Sequence, residues 1–537
     1  MIPILALLLA DPADLAVVNA RIYTVDTRAP QAKALAVKNG RLAAVGDDVS
    51  AHIGPKTKVI DAKGAAVIPG LIDSHVHLAG LGFQLETFDL RSVKSIDEVA
   101  EIVRKAAAAR KPGEWVLGRS WDQTNWGGKF PTADPLTNAA PNHPVSLNRV
   151  DGHAIWVNRK ALELAKITKA TPDPSGGKIE RDASGEPTGV LIDRAMGLVT
   201  RVIPAASAET LKRRLALAAQ ECARLGMTTV HDAGIDPQTL AAYRALLKEN
   251  QLPVRIYAMI GGEGRMWREF LDRGPEINDR LTVRSIKLMA DGAMGSRGAA
   301  FFQPYADDPG NSGLTMLKQE DIERVARDAV KKGFQVNTHA IGDRAVRITL
   351  DGYAKALEGV DDNRRFRVEH AQVVSLPDFA LFKKWNVIAS IQSTHATSDM
   401  RWAEKRLGPD RVLGAYAPQR FLKAGVVVTN GSDFPVEDPN PMFGLYAAIT
   451  RQDAAGFPEG GWYPDQKLTR EQALYSWTYA GAFAAFEEKS KGSLTPGKLA
   501  DFLILSDDIM QVEPKQILKT KIKKTVLGGE IVYSAAE

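Results

Sequence analysis

The chain holds one cysteine, Cys222, in 537 residues. No disulfide can form within it, and the redox compartment stays open. Cys222 falls in a helical pattern over residues 211–225 and is expected in the core. Long apolar runs are missing as well. Residues 2–10 form a nine-residue apolar stretch, long enough for the core of a signal peptide and far too short for a bilayer. Basic residues are absent ahead of it, and Leu8-Leu9-Ala10 is a poor cleavage site. Residues 1–12 therefore read as a signal or disordered segment, and cytoplasmic and exported (periplasmic) locations both stay open. No other run nears membrane length, so a soluble protein with no membrane span is expected. Neither charge dominates: 69 basic and 64 acidic residues give a net charge of +5. The densest basic run, residues 519–524, alternates lysine with Thr520 and Ile522. It is expected as a lysine-guarded edge strand and not as a nucleic-acid arm. Internal repeats and low-complexity segments are absent too. What remains is an ordinary globular balance, 45% apolar and 25% charged, in a chain long enough for more than one domain.

Both ends read as β-structure. Residues 15–25 carry Val17, Val18, Ile22, Tyr23 and Val25. Residues 34–37 and 41–45 flank Asn39-Gly40, a strong hairpin signal. The far end matches, with residues 500–505, 523–526 and 530–533 and a second hairpin signal at Gly528-Gly529. Two β-rich ends around a long α/β middle predict that residues 13–68 and 490–537 meet and build one small domain.

The middle, residues 69–489, alternates short apolar strands with amphipathic helices. Strands are expected at 71–73, 115–119, 228–231, 254–259, 284–289, 335–338, 367–369, 387–391 and 426–429. Helices are expected at 96–109, 209–225, 238–249, 320–332 and 343–357. That alternation implies parallel strands. Polar residues recur at or just after strand ends: His75, His77, His231, Lys287, His339, His370 and Asp433. Active-site residues of a (β/α)8 barrel gather at the C-terminal strand ends. An open sheet would converge seven such positions less well, so the barrel is favoured. A long irregular stretch at about residues 110–200 is expected to cap the barrel mouth and shape a pocket.

His75 and His77 share one face of a strand, because side chains alternate with period two. Two imidazoles side by side can hold one metal ion. His339 and His370 can hold a second. Asp433 can ligate a metal and also accept a proton. Lys287 is the odd member, since a protonated amine repels cations. A neutral lysine that has reacted with CO2 becomes a carbamate, a carboxylate on a long arm that can bridge two metals.

The ordered set of HxH, Lys, His, His and Asp, with the residues around each motif, resembles the amidohydrolase superfamily. It is most similar to the YtcJ-like metal-dependent amidohydrolases (the amidohydrolase 3 family), which include N-substituted formamide deformylases. The stretches that carry the resemblance span nearly the whole chain. They are Pro69-Gly70-Leu71-Ile72-Asp73-Ser74-His75-Val76-His77, Asp151-Gly152-His153-Ala154, Asp291-Gly292-Ala293-Met294-Gly295-Ser296-Arg297, Thr338-His339-Ala340-Ile341-Gly342-Asp343, Val368-Glu369-His370-Ala371-Gln372, Gly431-Ser432-Asp433-Phe434-Pro435 and Pro496-Gly497-Lys498-Leu499-Ala500-Asp501. The resemblance implies an α/β fold, a metal-bearing TIM barrel with a composite β-sandwich from both termini. It also implies hydrolysis of C–N bonds other than peptide bonds. One or two divalent ions are expected, Zn2+ first, because imidazole and carboxylate ligands suit it, with Mn2+, Fe2+ and Co2+ open. Two cations about 3.5–4 Å apart can share a water and lower its pKa to about 7. Asp433 is then the general base and acid.

A deaminase or cyclic-amide hydrolase on the same barrel is the alternative. A non-catalytic structural homologue is a third reading, and loss of metal ligands would mark it; none is lost. Substrate contacts are expected from Trp121, Asp122, Arg149, Asp151 and His153 in the insertion, and from His231, Arg297 and His395. Trp121, Trp126 and Trp156 hint at an apolar leaving portion. The expected partner is a small-molecule substrate. No nucleic acid is expected, and self-association stays open.

Overall fold

The computed structural model of the protein describes residues 11–262, 264–360 and 363–536. The apolar stretch at residues 2–10 lies outside them. Eight parallel strands follow one another around a barrel in chain order: Leu71–Val76, Met227–Ile235, Arg255–Gly261, Leu281–Met289, Gln335–Ala340, Arg367–His370, Ile388–Ile391 and Val428–Asn430. Neighbours pair in register from the first strand to the eighth. The eighth strand meets the first through its following loop. The Asp433 N–H donates to the His75 carbonyl at 2.8 Å, and the His77 N–H to the Phe434 carbonyl at 2.9 Å. The barrel is therefore nearly closed.

Strand alternation decides what each side of the wall carries. Val230, Ile256, Ile286, Val336, Val368 and Ala389 pack outward into the core shared with the surrounding helices. Cys222 is buried in that same core, as expected. The alternate positions enclose a polar interior in which His231, Gln335, Asn337, Arg367 and Glu369 are all buried. The helices start where the sequence offers caps: Ser207 accepts from the Thr210 N–H before Ala208–Arg224, and Asp236 accepts from the Thr239 N–H before Pro237–Lys248.

Of the nine strands expected in the middle of the chain, eight are in the barrel and the one at 115–119 is not. It is observed as Val116–Trp121, in a separate six-stranded sheet with Phe88–Asp89, Val145–Arg149, Ala154–Val157, Gly177–Arg181 and Pro187–Asp193. The stretch expected to be irregular is thus built on a sheet with its own apolar core. Its short strands sit between Gly-, Pro- and Asp-rich connections, which break up any long period-two pattern.

Two more sheets lie at the ends of the chain. One holds Leu15–Val18, Ala34–Lys38, Arg41–Gly46 and Lys58–Asp61. The other joins Arg21–Tyr23, Gln31–Ala32 and Ala66–Pro69 to Phe502–Leu505, Ile522–Leu527 and Glu530–Ser534. Both expected hairpins are present, with Lys38 opposite Arg41 and Leu527 opposite Glu530. The two sheets share apolar residues from both termini, among them Val17, Leu35, Phe502 and Val526. Asp501 binds Arg255 of the third barrel strand through both carboxylate oxygens, at 2.8 and 2.9 Å, with both side chains buried. That pair anchors the C-terminal segment to the barrel. One expectation is corrected here. The lysine-rich run is not a sheet edge, because Ile522–Leu527 has a hydrogen-bonded neighbour on each side. Lys523 reaches solvent from the sheet's exposed face, and the edge strand is Glu530–Ser534. Among the described residues no helix is long and apolar enough to cross a membrane.

Candidate active site

A cavity of about 1100 Å³ lies where the C-terminal ends of the barrel strands face the inserted sheet. His77, Lys287, His339, His370 and Asp433 line it from the barrel. Asp122, Arg149, Asp151 and His153 line it from the insertion, and Arg297 and His395 from loops above the strands. His75 is fully buried just beneath. A second cavity of about 630 Å³ shares His77, Lys287 and Met289 with the first.

Each imidazole is held by one ring nitrogen. His75 Nδ1 lies 2.6 Å from Glu369 Oε2, so Nδ1 carries the proton and Nε2 keeps its lone pair. His77 Nδ1 lies 3.0 Å from the Ala233 carbonyl, which fixes the same tautomer. His370 Nδ1 lies 2.8 Å from Gln392 Oε1. A histidine held in this way offers its other nitrogen to a metal. Burial is the main cause that depresses His75, and it pushes His370 and His339 well below the ordinary histidine range. Burial alone would raise Asp433. The close approach of His77 and the neighbouring histidines outweighs it and holds the carboxyl well below its usual range. Neutral imidazoles around an ionised carboxylate are the protonation states that cation binding requires.

Asp433 sits between two pairs of histidines. Its Oδ1 is 3.2 Å from His77 Nε2 and 3.6 Å from His75 Nε2. Its Oδ2 is 3.7 Å from His395 Nε2 and 4.0 Å from His370 Nδ1. The donor atoms of His75, His77 and Asp433 lie within 4.8 Å of one another, as do those of His370, His395 and Asp433. His75 Nε2, His395 Nε2 and Asp433 Oδ1 are buried without a hydrogen-bond partner. Such orphaned atoms are costly to bury, and these three converge. The residues present therefore fit a divalent cation. The loop that delivers Asp433 is braced by buried Asp73, whose Oδ2 accepts from the Ser432 hydroxyl at 2.6 Å. Gly431 permits the close approach, since a Cβ there would lie 2.7 Å from both Asp73 Oδ1 and the His75 nitrogen.

His395, expected against substrate, falls in a compact group with His370 and Asp433, and His339 lies beside His370 as sequence order pairs them. His339 Nε2 lies 3.4 Å from the Gly292 carbonyl and 3.4 Å from Asp291 Oδ1, with its ring 4.5 Å from that of His370. His395 follows the seventh strand in the short helix Ser393–Asp399, which turns its ring toward Asp433. Lys287 is buried, and among the described residues no carboxylate pairs with it; its Nζ touches only Met289 Sδ, at 3.4 Å. Burial pushes its amine below the ordinary lysine range.

Two residues expected against substrate are placed elsewhere. His231 faces the barrel interior, where Arg367 Nη1 donates to its Nδ1 at 3.0 Å and Tyr257 packs on its ring. Trp121 is buried among Trp126, Phe130 and Trp156, and its indole N–H donates to the Leu147 carbonyl. Neither lines the cavity. The other six do. Arg149 donates to Asp122 and Gln123 and pairs with Asp151. Arg297 pairs with Asp307 at 3.0 Å. His153 Nδ1 lies 2.6 Å from Asp193 Oδ1, and that contact outweighs burial and raises the imidazole.

Sequence reasoning missed Glu369, Arg367 and Asp193. Glu369 sits two residues after Arg367 on one strand face, which was the available signal. Arg367 and His75 hold its carboxyl down at about 2 against the effect of burial. Asp193 ends a strand of the insertion and carried no signal of its own.

A family model described as the amidohydrolase family matches residues 58–533. The chain is 36% identical to Protein LONG AFTER FAR-RED 3 of Arabidopsis thaliana, covering 97% of this chain and 92% of that protein. It is 31% identical to the putative amidohydrolase YtcJ of Bacillus subtilis, covering 95% and 98%. It is 28% identical to the N-substituted formamide deformylase of Arthrobacter pascens, covering 97% and 98%. A solved structure of an uncharacterized metal-dependent hydrolase from Pyrococcus horikoshii superposes with a TM-score of 0.75 at 29% identity, covering 93% of this chain and 99% of that one.

Proposed function

The chain belongs to the amidohydrolase family, and on that premise we propose that it is a metal-dependent enzyme that hydrolyses an amide-like, non-peptide C–N bond of a small molecule. One observation carries this reading: a single buried carboxylate, Asp433, stands between His75 and His77 on one side and His370 and His395 on the other. Those five residues would hold one or two divalent ions, Zn2+ first by donor chemistry. Lys287 and His339 join them as the other members expected from the motif order. When bound, the metal supplies Lewis acidity and lowers the pKa of a water to about 7.

The chain's own groups do the rest. Asp433 is ionised, accepts a proton from the attacking water and returns it to the leaving nitrogen. Glu369 fixes the His75 tautomer, and Ala233 that of His77. His153 has Nδ1 committed to Asp193, which leaves its other nitrogen for substrate. Lys287, buried and without an acid partner, is read as the site of a carbamate. Its neutral amine attacks CO2, an N–C bond forms and one proton leaves, which turns the neutral amine into a carboxylate. The domain division follows the same reading: a composite β-sandwich from residues 13–68 and 490–537 around a barrel over 69–489, with the insertion at about 110–200 over its mouth. The core shared by the two terminal sheets supports it.

N-formyl and N-acyl amines are the first substrates to test, with cyclic amides and carbamates beside them. Release of formate or another acid together with an amine is the expected outcome, and Asp433→Asn should lower turnover by about 10²–10⁴-fold. Ammonia release from adenine or guanine would replace this reading with the deaminase one. Wild-type turnover in Asp433→Asn would remove Asp433 from the proton path.

A further inference from the structure

The inserted sheet carries a feature that the hydrolytic reading leaves unused. In its strand Val116–Trp121, Arg119 pairs with Asn148 and Trp121 pairs with Arg149, so Ser120 is an extra residue. Ser120 has φ +70°, a left-handed backbone in the middle of a strand. This is a bulge, and a bulge re-aims side chains that a regular strand would send to opposite faces. Arg119 and Ser120, neighbours in sequence, accordingly line the same cavity as Asp433.

Both are buried, Arg119 at 6% exposure and Ser120 at 0%. Both also lack partners. Arg119 Nε and Ser120 Oγ are buried without a hydrogen bond, and among the described residues no acceptor or carboxylate engages the Arg119 side chain. The cavity's other arginines each reach at least one partner, Arg401 through Asp453 and Arg406 through the Met294 carbonyl, although Nε is buried without a hydrogen bond in Arg297 and Arg406 too. Arg149 pairs with Asp122 and Asp151, Arg297 with Asp307, and Arg91 donates to the Pro435 and Val436 carbonyls. Burial and the nearby charge of Arg91 push Arg119 down to about 10, which still leaves it protonated at neutral pH. Asp89, Asp433 and Asp151 act on this cation from a distance, but none of them contacts it, and a buried guanidinium without a contacting acceptor is costly.

We propose that Arg119 and Ser120 form a carboxylate-recognition subsite, so that the preferred substrates are amides that carry a carboxylate, such as N-acylated amino acids. A guanidinium fork matches a carboxylate in geometry, and the Ser120 hydroxyl adds one donor. With Asp89, Asp433 and Asp151 already near, one uncontacted guanidinium suits a singly charged group better than a phosphate dianion. This inference rests on the hydrolytic reading for the word substrate, but its binding claim stands apart.

The test is calorimetric binding of N-acetylphenylalanine and of N-acetylphenylalaninamide to the metal-loaded protein, each enantiomer separately. The wild type is expected to bind the carboxylate about 10- to 100-fold more tightly than the amide. Arg119→Gln should erase that preference and leave the affinity for the amide in place. Ser120→Ala, which removes no charge, should weaken the carboxylate by about three- to tenfold and serves should Arg119→Gln not fold. Equal binding of the two probes by the wild type, no binding of the carboxylate at millimolar concentration, a preference that survives in folded Arg119→Gln, or a preference left undiminished in Ser120→Ala overturns the subsite. Turnover is scored separately. Hydrolysis without a carboxylate preference sinks the subsite alone, and a carboxylate preference without hydrolysis of any amide sinks the hydrolytic reading alone.

Discussion

His75 and Glu369 meet at 2.6 Å, Nδ1 to Oε2, in a part of the barrel where both side chains are fully buried. The contact sets which imidazole nitrogen faces Asp433. Glu369→Gln keeps the shape but removes the charge that makes His75 a stronger donor. It also leaves Arg367, 2.9 Å from Glu369 Oε1, without its carboxylate. Metal affinity should fall by about 10–100-fold, read as metal retained against a graded chelator series. Unchanged retention would mean that His75 is not oriented by this pair.

Lys287→Ala tests the carbamate. The purified variant should lose metal, and a short-chain carboxylic acid added to it should restore part of both metal content and turnover, because a free carboxylate can take the place of the missing one. Full metal occupancy in Lys287→Ala would remove the lysine from the ligand set.

Much of this site was legible from the strand ends. His75 and His77 share a face by period two, and Lys287, His339 and Asp433 each close an apolar strand, so convergence followed once the strands were counted around a barrel. His370 was identified from its motif, yet strand phase alone would send it outward, because Glu369 occupies the inward position. Its backbone turns to φ +71° and the ring joins the cavity. That turn leaves no mark in a period-two pattern. The nearness of His395 to Asp433 depends on the angle of a short helix after the seventh strand, which no sequence pattern carries. Trp121 was assigned to substrate on residue type, and neighbouring aromatics absorb it instead. The bulge at Ser120 was invisible, since the residue carries no glycine or proline signal.

Asp399, at the end of the helix that carries His395, provides a pH test. It is buried, accepts from the Tyr416 hydroxyl at 2.6 Å, and burial raises its carboxyl to about 7 from the ordinary 3.8. In the folded chain it therefore holds a proton that the unfolded chain releases between those two values. The unfolded state binds fewer protons there, so this group's contribution to stability is greatest below about 4 and falls as pH rises toward about 7. Asp399→Asn cannot ionise. The difference in unfolding midpoint between variant and wild type should shift in the variant's favour as pH rises from about 4 to 7, measured by thermal denaturation. A difference that stays flat with pH would contradict the raised carboxyl.

The most direct measurement is the metal content of purified chain that is turning over an N-formyl or N-acyl amine, taken before chelation, after it and after divalent ion is restored. The account predicts one or two divalent ions per chain, loss of turnover in step with their removal, and recovery on their return. Sustained hydrolysis of such an amide by chain that holds no stoichiometric divalent metal would contradict it.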